Sequence, residues 1–158
     1  LHLSTRNRLM YPSYMQSIHA GFEEATVCSY GVESVNIKKR KGFIKYALQY
    51  GYRVHPVYTF GECDTYYTFS HFKSFRLWLN KFQVPAVVFF GYPICPLLPH
   101  PSCELHTVVG DPLELPCIPK PSKEDVEKFH ALYVKALQNT FDKYKKDAGK
   151  PDAVLQVW

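Results

Sequence analysis

The five cysteines, at positions 28, 63, 95, 103 and 117, form no C-x-x-C pair. A disulfide framework or a structural zinc site requires closer, paired spacing. Scattered reduced thiols in a cytosol-facing chain are therefore expected, and no metal site; Cys95, Cys103 and His106 offer no ligand spacing that would outweigh that reading. The chain also lacks a G-x-S-x-G elbow, a P-loop, a dinucleotide glycine fingerprint and an H-E-x-x-H pair. These absences exclude the self-contained serine-hydrolase, P-loop, nicotinamide and zincin chemistries. No repeat of 20 to 50 residues is visible. Leu1 is not a methionine, and no charged-then-apolar leader follows it, so a processed start or a fragment is expected. Residues 1–16 show no periodicity, and residues 1–17 are left unassigned. Charge is missing altogether from residue 83 through 99. That run approaches the roughly 20 residues of a membrane span, but Pro85, Pro93, Pro96 and Pro99 prevent a continuous helix. Residues 86–90 fit a buried strand, followed by a proline-rich apolar loop suited to a bilayer interface rather than a span.

What is abundant is core material. Hydrophobic residues make up 46% of the 158 and aromatics 16%, enough for one domain and unlike the composition of disordered chains. A net charge of +5 suits an acidic partner such as phosphate, an acyl-CoA or an anionic membrane surface, although many proteins without such partners are equally basic.

The organising stretch is 38–62. Lys38, Lys39, Arg40 and Lys41 lead into Phe43, Ile44, Ala47 and Leu48, whose spacing is that of one helix face, with Gly51 as the stop. Val54, Val57, Tyr58 and Phe60 make a β-rich run ending at Gly61 and Glu62. A basic helix start followed by a buried strand is expected to set cations and a carboxylate beside one cleft. Upstream, Ala20-Gly21-Phe22-Glu23-Glu24 describes a tight loop that a ligand can approach, or an ordinary turn with solvated acids. Residues 27–37 fit a short hairpin or an irregular connection. Phe72, Phe75, Leu79 and Phe82 recur at helical spacing with Lys73, Arg76 and Lys81 off that face, a pattern that serves a membrane surface or a core equally.

Residues 105–109 form another strand candidate, and the prolines at 116, 119 and 121 stiffen an extended connector. The clearest helix follows. Ser122 is its N-cap, Asp125 stands at the capping-box position, and Val126, Phe129, Tyr133, Leu137, Phe141 and Tyr144 make one stripe, with Gly149 and Pro151 as the stop. His130 lies beside that stripe as a packed or half-exposed histidine. Strands separated by helices give an α/β domain with a mixed or parallel sheet flanked by helices. His19 and His55 have no evident carboxylate orienter in sequence and are not assigned as general bases.

The wording of the motifs goes further. Gly21-Phe22-Glu23-Glu24-Ala25, then Arg40-Lys41-Gly42-Phe43 with Lys45 and Ala47, then Pro56-Val57-Tyr58-Thr59-Phe60-Gly61-Glu62 resemble the type 2 diacylglycerol acyltransferase family, which also holds monoacylglycerol and wax-alcohol acyltransferases. Pro96-Leu97-Leu98-Pro99, Thr107-Val108-Val109-Gly110 with Pro112, and Pro121-Ser122 leading to His130, Tyr133 and Leu137 recur in the same order. Ala20 stands where the family carries glycine. The resemblance implies a glycerolipid-acyltransferase-like fold whose N-terminal part is missing, with residues 1–158 as the C-terminal part of a single acyltransferase domain. It implies acyl transfer from acyl-CoA, as co-substrate and without a cofactor, to the hydroxyl of diacylglycerol or a related lipid alcohol. It places that activity in triacylglycerol synthesis at the cytosolic face of the endoplasmic reticulum membrane. The family's proton-abstracting histidine belongs to an H-P-H-G motif upstream of the glycine–glutamate loop. No catalytic residue is therefore expected in this chain, and the chain alone is expected to be inactive.

The substrate-binding set implied is Gly21, Glu24, Arg40, Lys41, Gly42, Lys45 and Glu62. In it Glu24 shapes the acceptor site or orients the histidine, the cations meet the phosphates of acyl-CoA, and Glu62 lines the same cleft. The rival readings are a non-catalytic lipid-surface module and an RNA-binding domain. Arg40-Lys41-Gly42-Phe43 echoes the start of an RNP1 motif, but Tyr46-Ala47-Leu48 continues with helical spacing where RNP1 requires a strand. No nucleic-acid partner is expected.

Overall fold

A computed structural model describes residues 29–68, Trp78 and residues 89–158. Within it the 38–62 stretch folds as its periodicity dictates. Helix α1 (Gly42–Tyr50) buries Phe43, Ile44, Ala47 and Leu48 and terminates at Gly51 in the left-handed region. The N–H groups of Gly51 and Tyr52 both return to the Ala47 carbonyl, which closes the helix end. The β-rich run that follows is broken in two, β2 (Arg53–Val54) and β3 (Val57–Phe60), by His55 and Pro56.

The partners of these strands are β6 (His106–Val109) and β7 (Leu113–Glu114), both antiparallel. The register explains the break. Val54 faces Leu113 and Val57 faces Val109, so two residues, His55 and Pro56, oppose three, Gly110, Asp111 and Pro112. The two ladders are one ribbon interrupted by a bulge. Two bonds fasten it, from the Gly110 N–H to the Pro56 carbonyl at 2.7 Å and from the His55 ring, through Nδ1, to the Gly110 carbonyl at 3.2 Å. His55 therefore clamps the bulge through its side chain.

Helix α2 (Lys123–Tyr144) begins with the full capping box: Asp125 N–H donates to Ser122 Oγ, and Ser122 N–H to the Asp125 carboxylate. It ends at Tyr144, before Gly149 and Pro151, with residues 145–149 continuing as turns. Its buried stripe contains Val126, His130, Tyr133, Leu137, Thr140 and Phe141, while Phe129 and Tyr144 are half-buried. One helix thus serves two cores. Its first half closes on α1, on Val54 of β2 and on Leu115 just after β7, and its second half on Tyr58, Phe60 and Val108 of the β3–β6 ladder. Phe43 meets Tyr133 edge-on at 4.9 Å, and Phe60 stacks on Phe141 at 5.0 Å.

Two further ladders complete the described structure. Strand β1 (Ser34–Val35) pairs in parallel with β8 (Gln156–Val157), and β4 (Tyr67–Thr68) pairs antiparallel with β5 (Phe89–Phe90). One parallel and three antiparallel ladders with two helices make a mixed α/β arrangement. The described part of the segment 27–37, residues 29–37, is an irregular connection carrying β1, and residues 115–121 form no strand or helix, with a bend at 119–120; the Ile118 N–H bonds the Leu48 carbonyl at the end of α1 at 2.7 Å. The glycine–glutamate loop with Gly21 and Glu24, and the aromatic helix pattern at 72–82 apart from Trp78, lie outside the described residues.

Candidate functional site

The N-terminus of α1 is electrostatically unusual. Residues 38–41 are four consecutive cations, Lys41 takes the N-cap position without a side-chain cap, and the first turn contains no acid. A helix N-terminus already carries a partial positive charge from its exposed N–H groups. Stacking cations there destabilises the isolated helix and makes the end attractive to an anion. What holds the segment in place is α2. The buried imidazole of His130, donating through Nε2, bonds the Ile37 carbonyl at 3.0 Å, so its tautomer is set by an acceptor that has no proton to give. Lys41 Nζ pairs with Glu127 at 2.8 Å, and that contact, together with the Lys41 charge, holds the Glu127 carboxyl below the usual range.

Between the two elements lies an open groove of about 640 Å³. Lys38, Lys41 and Lys135 bring three ammonium groups to it, Ala131 and Val134 give it an apolar wall, and Gln138 and Glu127 add hydrogen-bonding groups. Such a groove can hold a ligand with an anionic head and an apolar body. Arg40 is half-buried beside it, with its N–H bonded to the Ile37 carbonyl at 3.0 Å. Gly42 is exposed at the start of α1 with open space where a Cβ would stand, and Lys45 is exposed one turn further along. Phe43, which an RNP1 motif would present to a base on a strand, is buried in a helix instead.

Glu62 does not join this groove. It is exposed at the start of a 3-10 turn (Glu62–Asp64) after β3, which packs on the second half of α2. From Glu127 to Phe141 the helix rises about 21 Å at 1.5 Å per residue, so the expected single cleft is resolved into two places. The carboxylate end carries its own polar cluster, which local sequence patterns do not reveal. Glu33 is 3% exposed, accepts a hydrogen bond from Tyr58 Oη at 2.6 Å, and shares Lys150 Nζ with Asp64. Burial pushes the Tyr58 phenol well above its ordinary value, and the Glu33 carboxylate pushes it the same way, so Tyr58 remains a donor. Burial pulls Lys150 down, but its hydrogen bonds to Asp64 and Glu33 outweigh that and hold the ammonium above its ordinary range. These groups come from positions 33, 58, 64 and 150, too far apart in sequence for spacing to connect them.

The family model described as Diacylglycerol acyltransferase matches residues 15–157. Diacylglycerol O-acyltransferase 2 of Xenopus tropicalis is 39% identical over 146 residues, covering 85% of this chain and 40% of that protein. Acyl-CoA wax alcohol acyltransferase 1 of Homo sapiens is 42% identical over 125 residues, covering 72% of this chain and 37% of that protein. Diacylglycerol O-acyltransferase 2-like protein 6 of Homo sapiens is 36% identical over 146 residues, covering 84% and 43% respectively. The chain therefore spans about two fifths of the length of these curated relatives. No solved structure matches it. With a family match that leaves out little beyond the first fourteen residues, the chain belongs to the diacylglycerol acyltransferase family.

Proposed function

We propose that this chain is the C-terminal part of an acyl-CoA-dependent O-acyltransferase domain of glycerolipid-acyltransferase-like fold, acting on diacylglycerol at the cytosolic face of the endoplasmic reticulum membrane. The family match over residues 15–157 carries the reading. The electrostatics of the α1 N-terminus supports its acyl-CoA arm, because a phosphate-rich donor with a long apolar tail complements a groove of three lysines against Ala131 and Val134. Lys41, with Arg40 and Lys45 beside it, meets the donor phosphates, and Gly42 leaves the backbone N–H groups of the first turn open to them. Gly21 and Glu24 serve the acceptor side. Glu62 lies at the other end of α2 and is assigned to shaping the wall behind the acceptor rather than to the phosphates.

In the reaction, a histidine of the H-P-H-G motif that the family resemblance places upstream takes the proton of the acceptor hydroxyl. The hydroxyl oxygen bonds the acyl carbon as the thioester C–S bond breaks, and coenzyme A leaves as the thiol after taking up a proton. No cofactor enters the balance. The test is acyl transfer by the whole protein, supplied with labelled acyl-CoA and diacylglycerol in microsomes. Labelled triacylglycerol is expected, with none from the 158-residue chain alone; an inactive whole protein, or an active isolated chain, contradicts the proposal.

A further inference from the structure

The uncharged loop at 91–99 extends from β5 as a preformed apolar surface. Ile94 is 83% exposed, Leu97 75% and Leu98 54%, and Phe90 at its base is 57% exposed. An exposed apolar loop is usually an unstructured one that keeps its backbone in water. This loop instead bonds most of its N–H groups internally. The Gly91 N–H bonds the Pro96 carbonyl, Tyr92 the Leu98 carbonyl, Cys95 the Tyr92 carbonyl and Leu98 the Cys95 carbonyl, all at 2.9 to 3.0 Å. Pro93, Pro96 and Pro99 have no N–H to satisfy. Four of the six N–H groups between 91 and 99 are thus accounted for inside the loop. Tyr66 Oη caps the Leu97 carbonyl at 3.1 Å. The turn is also closely fitted, since a Cβ on Gly91 would stand 1.7 Å from the Leu98 carbonyl oxygen.

From these observations we infer that loop 91–99 docks on a lipid bilayer surface, inserting Ile94, Leu97 and Leu98 below the headgroups. Three features of the loop select that occupant. Lipid offers no hydrogen bonds to bare backbone, and four of the six N–H donors of this loop are bonded within it. Entry into hydrocarbon is costly for charge, and residues 83–99 contain none. The base of the loop is aromatic and amphipathic: Tyr67 lies tilted against Tyr30 at 4.3 Å and meets His100 edge-on at 5.9 Å, the residue types of an interfacial girdle. The inference gives the proposed acyltransferase its route to a lipid-dissolved acceptor and rests on that reading for its purpose, but vesicle binding needs no catalysis and can be tested separately.

The experiment is flotation of the 158-residue chain with phosphatidylcholine vesicles. The wild type is compared with the pair Ile94→Asp/Leu97→Asp and with Val154→Asp, a control at a position 74% exposed elsewhere. All three substituted side chains lie in solvent, and unchanged circular dichroism verifies the fold. The loop pair is expected to lower the bound fraction about tenfold or more, with the control unchanged. A second variant, Ile94→Trp, is expected to show fluorescence quenched by brominated acyl chains beyond the background of Trp78 and Trp158. Equal binding of the loop pair and the wild type overturns the inference, as does an Ile94→Trp signal that brominated lipid leaves unquenched. A wild-type chain that self-associates through the loop, becomes monomeric in the pair and ignores vesicles overturns it in favour of a second copy. Loss of vesicle binding would leave acyl transfer by the whole protein intact as a reading, and loss of transfer would leave the docking intact.

Discussion

Single residues hold the carboxylate end of the molecule. Lys150 reaches Glu33 and Asp64 together, while Glu33 is buried and Tyr58 donates to it. Removing the ammonium leaves a carboxylate in the interior with one hydrogen bond, a more costly state than replacing both partners. Lys150→Met is expected to destabilise the chain by about 2 to 3 kcal/mol, read by urea denaturation, and Glu33→Leu/Lys150→Met to recover part of that. The pH dependence has a definite sign. The folded Lys150 value is raised, so its contribution is complete below the unfolded lysine value of about 10.4. It is lost as pH rises through the folded value. Melting of the wild type should therefore converge on that of Lys150→Met only in strong alkali. Convergence near neutrality would show that the ion pairs contribute nothing.

At the scale of elements, the bulge between β2–β7 and β3–β6 fixes how the ribbon lies on α2. Gly110 is part of it because the backbone there touches the helix: a Cβ would stand 2.1 Å from Thr140 Oγ1 and 2.8 Å from Pro56 Cγ. Gly110→Ala is expected to cost about 1 to 3 kcal/mol by overpacking, measured as a lower denaturation midpoint with an unchanged slope; a midpoint equal to wild type would mean that the ribbon does not bear on the helix. Much of this architecture was legible in the sequence, and for local reasons. The Ser122–Asp125 box, the Phe43–Leu48 face and the Gly51 stop are written within a turn or two of one another, and all three are found. The end of α2 was less legible. Gly149 marks a positive φ of 72°, but the helical bonds finish at Tyr144 and a run of turns intervenes. The bulge, the Glu33–Lys150 pair and the separation of Glu62 from Lys41 are products of register and long-range pairing. No periodicity encodes these, and Lys150 stands 117 residues from its partner.

Over the whole molecule, α2 is the common wall of two sites. Its first half faces the cations of the α1 N-terminus, and its second half backs the ribbon whose far end carries Glu62 and the Glu33 cluster. An acyltransferase must hold a water-soluble, phosphate-rich donor and a lipid acceptor at once. Among the described residues a basic groove between α1 and α2 and an exposed apolar loop at 91–99 are the features that the proposed function assigns to those two needs. Membership of the family is established by the match over residues 15–157, and the proposed donor site is the groove of Lys38, Lys41 and Lys135. The direct test is steady-state kinetics of the whole protein carrying Lys38→Ala/Lys41→Ala. Both side chains line the groove, and the ion pair of Lys41 with Glu127 is solvent-exposed, so folding should be little affected. The KM for acyl-CoA is expected to rise about tenfold, the loss of roughly one charge-assisted contact, with the KM for diacylglycerol unchanged. An unchanged KM for acyl-CoA, or a rise confined to diacylglycerol, would contradict the assignment.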